Sequence, residues 1–174
     1  MDDFTLVREC LSGSPKAQKA LFDKFAPKMF SVCLRYMKNA EQAEDVLQDG
    51  FIKIFSKLSD YKNEGVLEGW IRRIMVNTCL DQIRKNAKFL NDIQAEEVEY
   101  KLDTNSYITE TLMAEDLMAL VQKMPDGYRV VFNMFAIEGY SHQEIAAHLG
   151  VTESTSKSQY LRARAYLRER IEKM

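Results

Sequence analysis

Residues 138–168 constrain this chain more than any other stretch, because they spell two helices joined by a sharp turn. Ser141 followed three residues later by Glu144 is a capping box, so a helix is expected to start there. Ile145, Ala146 and Leu149 then fall on one helical face. Gly150 supplies the left-handed stop, Val151 plugs the junction, and Thr152 suits the cap of the next helix. That second helix carries Thr155, Lys157, Ser158, Gln159, Arg162 and Arg164. Small polar and basic side chains on the second helix of such a pair suit a groove of duplex DNA.

The rest of the composition narrows the class. In 174 residues no apolar run approaches the ~20 needed to span a bilayer. The acidic start, Met1-Asp2-Asp3-Phe4-Thr5, is unlike a signal peptide, and a cytoplasmic protein is expected. Cys10, Cys33 and Cys79 are odd in number and far apart, without a CxxC spacing, so they are read as buried free thiols and no metal site is expected. His142 and His148 are six apart, which is not a same-face ligand spacing. No catalytic site, and no cofactor, is expected for want of a nucleophile, a metal cluster or a glycine-rich phosphate loop. The net charge of −2 alone argues against nucleic acid, but its distribution argues for it. Residues 70–90 hold Arg72, Arg73, Arg84, Lys85 and Lys88 against Asp81 alone. Residues 91–116 hold eight acids against Lys101, and from Thr152 onward six basic residues oppose three acids. Two basic surfaces at the ends of two domains are the footprint of a polyanion ligand.

The periodicity predicts an all-α protein. Glycine and proline are few, and no alternating strand pattern persists. Helices are expected over 3–11, from Pro15 to the break at Asn39, over 40–58, and from about Leu67 to Asn86 with Trp70 on or near the apolar face. Ser59 to Glu64 is a polar loop. A further helix starts near Thr109, another follows Pro125 and carries Val130, Val131, Met134, Phe135 and Ile137, and the helix-turn-helix comes last. The organisation is a helical domain over 1–90, a flexible acidic linker over 91–108, and a smaller helical domain over 109–174.

Two stretches in each half carry a resemblance. They are Ala43-Glu-Asp-Val-Leu-Gln-Asp-Gly-Phe-Ile-Lys-Ile-Phe55 and Trp70-Ile-Arg-Arg-Ile-Met-Val-Asn-Thr-Cys-Leu-Asp-Gln-Ile-Arg84, then Glu138-Gly-Tyr-Ser-His-Gln-Glu-Ile-Ala146 and Lys157-Ser-Gln-Tyr-Leu-Arg-Ala-Arg164. In this order, with an intervening linker, the chain resembles the extracytoplasmic-function group of sigma-70 factors, two-domain subunits that direct RNA polymerase to promoters. The run from Ser154 to Tyr160 is most similar to versions associated with Bacteroidetes.

The resemblance implies roles for particular residues. The helix around Asp45, Gln48, Asp49 and Lys53 resembles the segment that docks on the β′ clamp helices of core polymerase; without the family, an ordinary amphipathic bundle helix is the favoured reading. Tyr61, Lys62 and Asn63, with Arg72 and Arg73, resemble the segment that opens the duplex at the −10 element, where a flipped base needs a pocket. Asn77 and Asp81 would meet base edges there, while Arg84 and Lys85 hold phosphate; the alternative for Asp81 is an intrahelical pair with Lys85. At the −35 element, Thr152, Ser154 and Thr155 would lie against phosphate, and Lys157, Ser158, Gln159 and Arg162 would reach into the major groove. Many relatives have glycine at Ser154, valine at Ser156 and arginine at Gln159, so the −35 preference is in doubt and a serine stands at an expected core position. The implied partners are core RNA polymerase (β′ clamp helices and β flap), promoter DNA, and an anti-sigma factor, a membrane-bound one included, that clamps between the domains. A monomer is expected when free, since no self-association feature stands out. Two other readings stay open: a stand-alone helix-turn-helix regulator that binds DNA as a dimer, and a helical protein that sequesters a regulator.

Overall fold

The computed structural model describes residues 1–86, Ile93 and residues 114–174. The described residues form helices and turns without a strand, as an all-α chain requires. They divide into two compact units, Met1–Asp81 and Gln82–Met174. The linker expected over 91–108 lies outside the described residues except for Ile93.

In the first unit, α1 (Asp3–Leu11), α2 (Pro15–Tyr36), α3 (Ala40–Ser56) and α4 (Leu67–Arg84) up to Asp81 pack around an apolar core. Each of the first three starts on a side-chain cap that takes up an orphan amide: Asp2 accepts from Thr5, Ser14 from Ala17 and Asn39 from Gln42. Pro15 sits in the first turn of α2, where no donor is needed. Leu21, Met29 and Cys33 of α2, Val46 and Ile54 of α3, and Ile71, Met75 and Cys79 of α4 are buried together in that core. A one-turn 3-10 helix, Leu58–Asp60, ends the expected 40–58 helix early. Gly50 lets α3 press on α4, because a Cβ there would collide with the Met75 thioether.

The second unit holds α5 (Ala114–Lys123), α6 (Asp126–Phe132), α7 (His142–Leu149) and α8 (Glu153–Glu172). Its apolar cluster joins Val121, Met124, Phe132, Ala163 and Leu167. The helix expected to run through Ile137 changes pitch instead. Residues Asn133–Ile137 form a wide π turn, closed by the Glu138 amide donating to the Asn133 carbonyl at 2.9 Å. The extra residue leaves Ile137 exposed and Phe135 half-buried beside the start of α7.

Candidate nucleic-acid interface

The helix-turn-helix is built as its sequence dictates. Ser141 Oγ accepts from the Glu144 amide, and the Glu144 carboxylate accepts from the Ser141 amide, both at 3.1 Å. Two of the orphan donors at the start of α7 are thereby satisfied. Gly150 adopts φ 68° and ψ 34°, the left-handed stop that a side chain would strain. Thr152 Oγ1 then accepts from the Thr155 amide at 3.1 Å and opens α8.

The two faces of α8 divide the expected −35 residues. Thr155, Ser156, Gln159, Ala163 and Leu167 are buried. Ser154 and Lys157 are exposed, with Ser158 and Arg162 half-buried on the outer side. Lys157 pairs with Glu153 at 3.3 Å, both largely in solvent, so the pair constrains the lysine little. The outward set keeps Ser154, Lys157, Ser158 and Arg162, with the exposed Thr152 capping the helix start.

One expected phosphate residue, Thr155, and one expected groove residue, Gln159, are therefore inside. Thr155 is 6% exposed, and its hydroxyl lies 2.9 Å from that of Thr152. Gln159 is 1% exposed. Its position belongs to the inward stripe of α8, and the missing side chain of Gly127 makes room for its amide: a Cβ there would meet Oε1 at 2.8 Å. Gln159 Nε2 donates to the Ile93 carbonyl at 3.5 Å, a long bond, and Oε1 finds no partner among the described residues.

In the first unit the polar loop is more ordered than its composition suggests. Tyr61 is only 9% exposed; its hydroxyl donates to the Gly65 carbonyl at 2.8 Å and its ring lies 5.5 Å from that of Trp70. Tyr61 thus closes the loop from inside and does not stand out as a stacking platform. Asn63 and Gly65 take φ 56° and 88°, and Lys62 and Asn63 are left exposed. Trp70, expected on or near the apolar face, is half-exposed. Trp70, Arg73, Asn77, Asp81 and Arg84 recur at helical spacing along one side of α4, each at least partly exposed. Arg72 is half-buried, and Lys85 is exposed in the turn after α4. The Asp81 carboxylate accepts from Lys53 of α3 at 3.3 Å, a pairing across helices where an intrahelical one with Lys85 was the alternative.

Asp45, Gln48 and Asp49 stand exposed on α3, as expected of a docking face, and Lys53 is half-buried at its edge. Ile52, in the middle of that polar set, is 67% exposed. Sequence reasoning missed it, although it falls three and four residues after Asp49 and Gln48 on the same helical face.

Residues 21–89, which include α3 and α4, match the family model for sigma-70 region 2, and residues 114–167 match that for sigma-70 region 4. The chain belongs to the sigma-70 family. The extracytoplasmic-function (ECF) group is the part of the family it joins. It is 30% identical to the ECF RNA polymerase sigma factor SigE of Mycolicibacterium smegmatis over 88% of this chain, though it spans only 61% of that longer protein. It is 24% identical to SigW of Bacillus subtilis over 95% of this chain and 94% of that one. The sigma-E factor of Escherichia coli is 26% identical over 99% of this chain and 95% of its own length. Among solved structures, the sigma factor RpoE bound to the anti-sigma factor NepR from Bartonella quintana shares the fold, with a TM-score of 0.52 and 22% identity over 90% of this chain and 96% of that one. As an ECF sigma factor the chain acts in promoter-specific transcription initiation and is not itself an enzyme. Among the described residues, no helix is long and apolar enough to cross a membrane.

A pairing that the sequence did not reveal sits where the sigma factor's region 4 helices meet. His142 is the first residue of α7, and its Nδ1 lies 2.9 Å from the buried Ser156 hydroxyl. The ring stacks on Phe135 at 4.2 Å with 12° between planes. Burial, and then the Lys157 charge, hold its pKa below the ordinary imidazole value, while Glu153 opposes the shift. Both residues were visible in the sequence, Ser156 as a serine at a core position and His142 as the residue after a cap, but nothing in the spacing joined them.

Proposed function

We propose that this sigma factor divides its work among three surfaces. Asp45, Gln48, Asp49, Lys53 and the exposed Ile52 of α3 dock on the β′ clamp helices of core RNA polymerase. Lys62, Asn63 and the outward side of α4 take the −10 element. Asn77 and Asp81 meet base edges, while Arg72, Arg73, Arg84 and Lys85 hold the strand's phosphates. Tyr61 supports this surface by holding the loop closed against Trp70. Ser154, Lys157, Ser158 and Arg162 of α8 enter the major groove at −35, with Thr152 at the phosphate.

The observation that carries this reading is the side of α8 that remains outside. Its polar and basic members, Ser154, Lys157, Ser158 and Arg162, lie on the second helix of a well-capped helix-turn-helix. In this reading the first domain occupies residues 1–90 and the second residues 109–174, with 91–108 linking them. The protein works in the cytoplasm as a monomer until it joins polymerase, whose flap engages the second domain. An anti-sigma factor holds it inactive, as NepR is bound to RpoE in the Bartonella complex.

Run-off transcription tests the proposal. Purified core polymerase, this protein and a promoter library are combined and the transcripts sequenced. Starts that share two upstream motifs are expected. Their absence with folded protein and polymerase from the same organism would overturn the reading, and palindromic protection of DNA without polymerase would point to a stand-alone regulator.

A further inference from the structure

Region 4 joins its two reading helices through a polar pair at a place where an apolar contact would ordinarily serve. Ser156 is fully buried on the inward stripe of α8, between Thr155 and the exposed Lys157. Its hydroxyl lies 2.9 Å from Nδ1 of His142 on α7. The half-buried imidazole also lies beside two aromatic rings, Phe135 of the π turn at 4.2 Å and Tyr160 of α8 at 5.8 Å. Phe135 and Tyr160 also touch each other, with centroids 4.6 Å apart. The π turn, α7 and α8 therefore converge on one ring.

The surroundings of that ring disfavour its charged form. It sits in the first turn of α7, where the helix dipole disfavours a cation. The charged groups near it are few. From α8 come Lys157, which repels a second positive charge, and Glu153, which is engaged with that lysine at 3.3 Å. On its own helix the Glu144 carboxylate is engaged with the Ser141 amide. Tyr160 of α8 presents a ring.

We propose that neutral His142 is the positioning residue that fixes α8 on α7 through the Ser156 hydroxyl, so that the protonation of one imidazole governs how well the outward face of α8 meets the −35 duplex. This rests on α8 reading that duplex. The direction follows from linkage. Because the folded protein holds the ring's pKa below its unfolded value, the contribution of the neutral ring is whole above about pH 6.5 and is lost as pH falls through the folded value.

Two measurements on the full chain test it, with the variants His142→Asn and Ser156→Ala. Asparagine keeps a hydrogen-bonding atom near the place of Nδ1 but does not titrate. In amide NMR spectra taken from about pH 8 to about pH 5, the amides of residues 154–161 are expected to shift with the midpoint of His142 in the wild type. They should stay flat in H142N, and in S156A they should uncouple from an imidazole that still titrates. In holoenzyme transcription, the ratio between a promoter with an intact −35 element and one with that element scrambled is expected to fall about three- to tenfold on acidification in the wild type. It should change little in H142N. Amides of α8 that ignore the His142 titration, or that titrate in H142N as in the wild type, would overturn the proposal. Equal transcription from both promoters at neutral pH would sink the −35 reading instead, and the NMR comparison would still decide the tether.

Discussion

The two units differ in how many polar side chains they bury beside their apolar cores. In the first, α3 and α4 turn apolar side chains inward, while Asp45, Gln48, Asp49, Asn77 and Asp81 remain at least partly in solvent. In the second, Arg129, Asn133, Thr155, Ser156 and Gln159 are buried beside the apolar cluster. Arg129 shows how such a group is tolerated. Its guanidinium bonds the Asp126 carboxylate at 2.8 Å and the Met124 carbonyl at 3.1 Å, so the charge is paired and part of its donor set is used. The first unit is specified mainly by shape and the second in part by hydrogen-bond geometry. In the proposed reading, the region that meets a partner's helices and the region that aims a helix into a groove would have solved their packing differently.

Core truncation should break the comparison most severely. Ile71→Ala removes a fully buried side chain of α4 and is expected to cost the first unit about 2–5 kcal/mol, read from urea unfolding. A loss confined to a few tenths would mean that the first unit is not held by apolar packing. Next in size is Lys157→Ala, which takes a cation from the outward face of α8. If that lysine meets a base, discrimination at one −35 position should fall by about 1–3 kcal/mol; transcription from a set of single-base promoter variants would show it. A uniform loss across the set would assign the lysine to phosphate.

Gly150→Ala should cost the second unit about 1 kcal/mol, because alanine must adopt the left-handed conformation between α7 and α8. Thermal unfolding of the variant checks this. The smallest effect should have the opposite sign. Gln159→Met keeps the volume while removing an amide whose Oε1 has no partner among the described residues, so stability is expected to stay level or rise by up to about 1 kcal/mol. The −35 preference should not change. A relaxed preference in that variant would show that Gln159 leaves the interior when DNA is bound.

The contrast also explains what could be read from the chain before its fold was known. The caps were legible because they are local: Ser141 with Glu144, Gly150 and Thr152 each act within one turn of themselves. The helices of the first unit were legible because their apolar residues repeat at helical spacing. Gln159 was placed in the groove because a polar residue on a recognition helix is ordinarily outside, and only Gly127, more than thirty positions earlier, makes the space that takes it in. Tyr61 was misread for a related reason, since the Gly65 carbonyl that anchors it depends on the course of the loop. The π turn at Asn133–Ile137 has no composition signal of its own, and it is what brings Phe135 against His142.

Gly50 has a mechanical meaning. With no side chain between α3 and Met75 of α4, the two helices approach closely at Gly50, and Lys53 meets Asp81 a turn farther along. In the proposed reading, α3 meets the protein partner and α4 the nucleic acid. In that reading, seating α3 on the enzyme would also set the pitch of α4, as a chisel's edge is aimed by its handle.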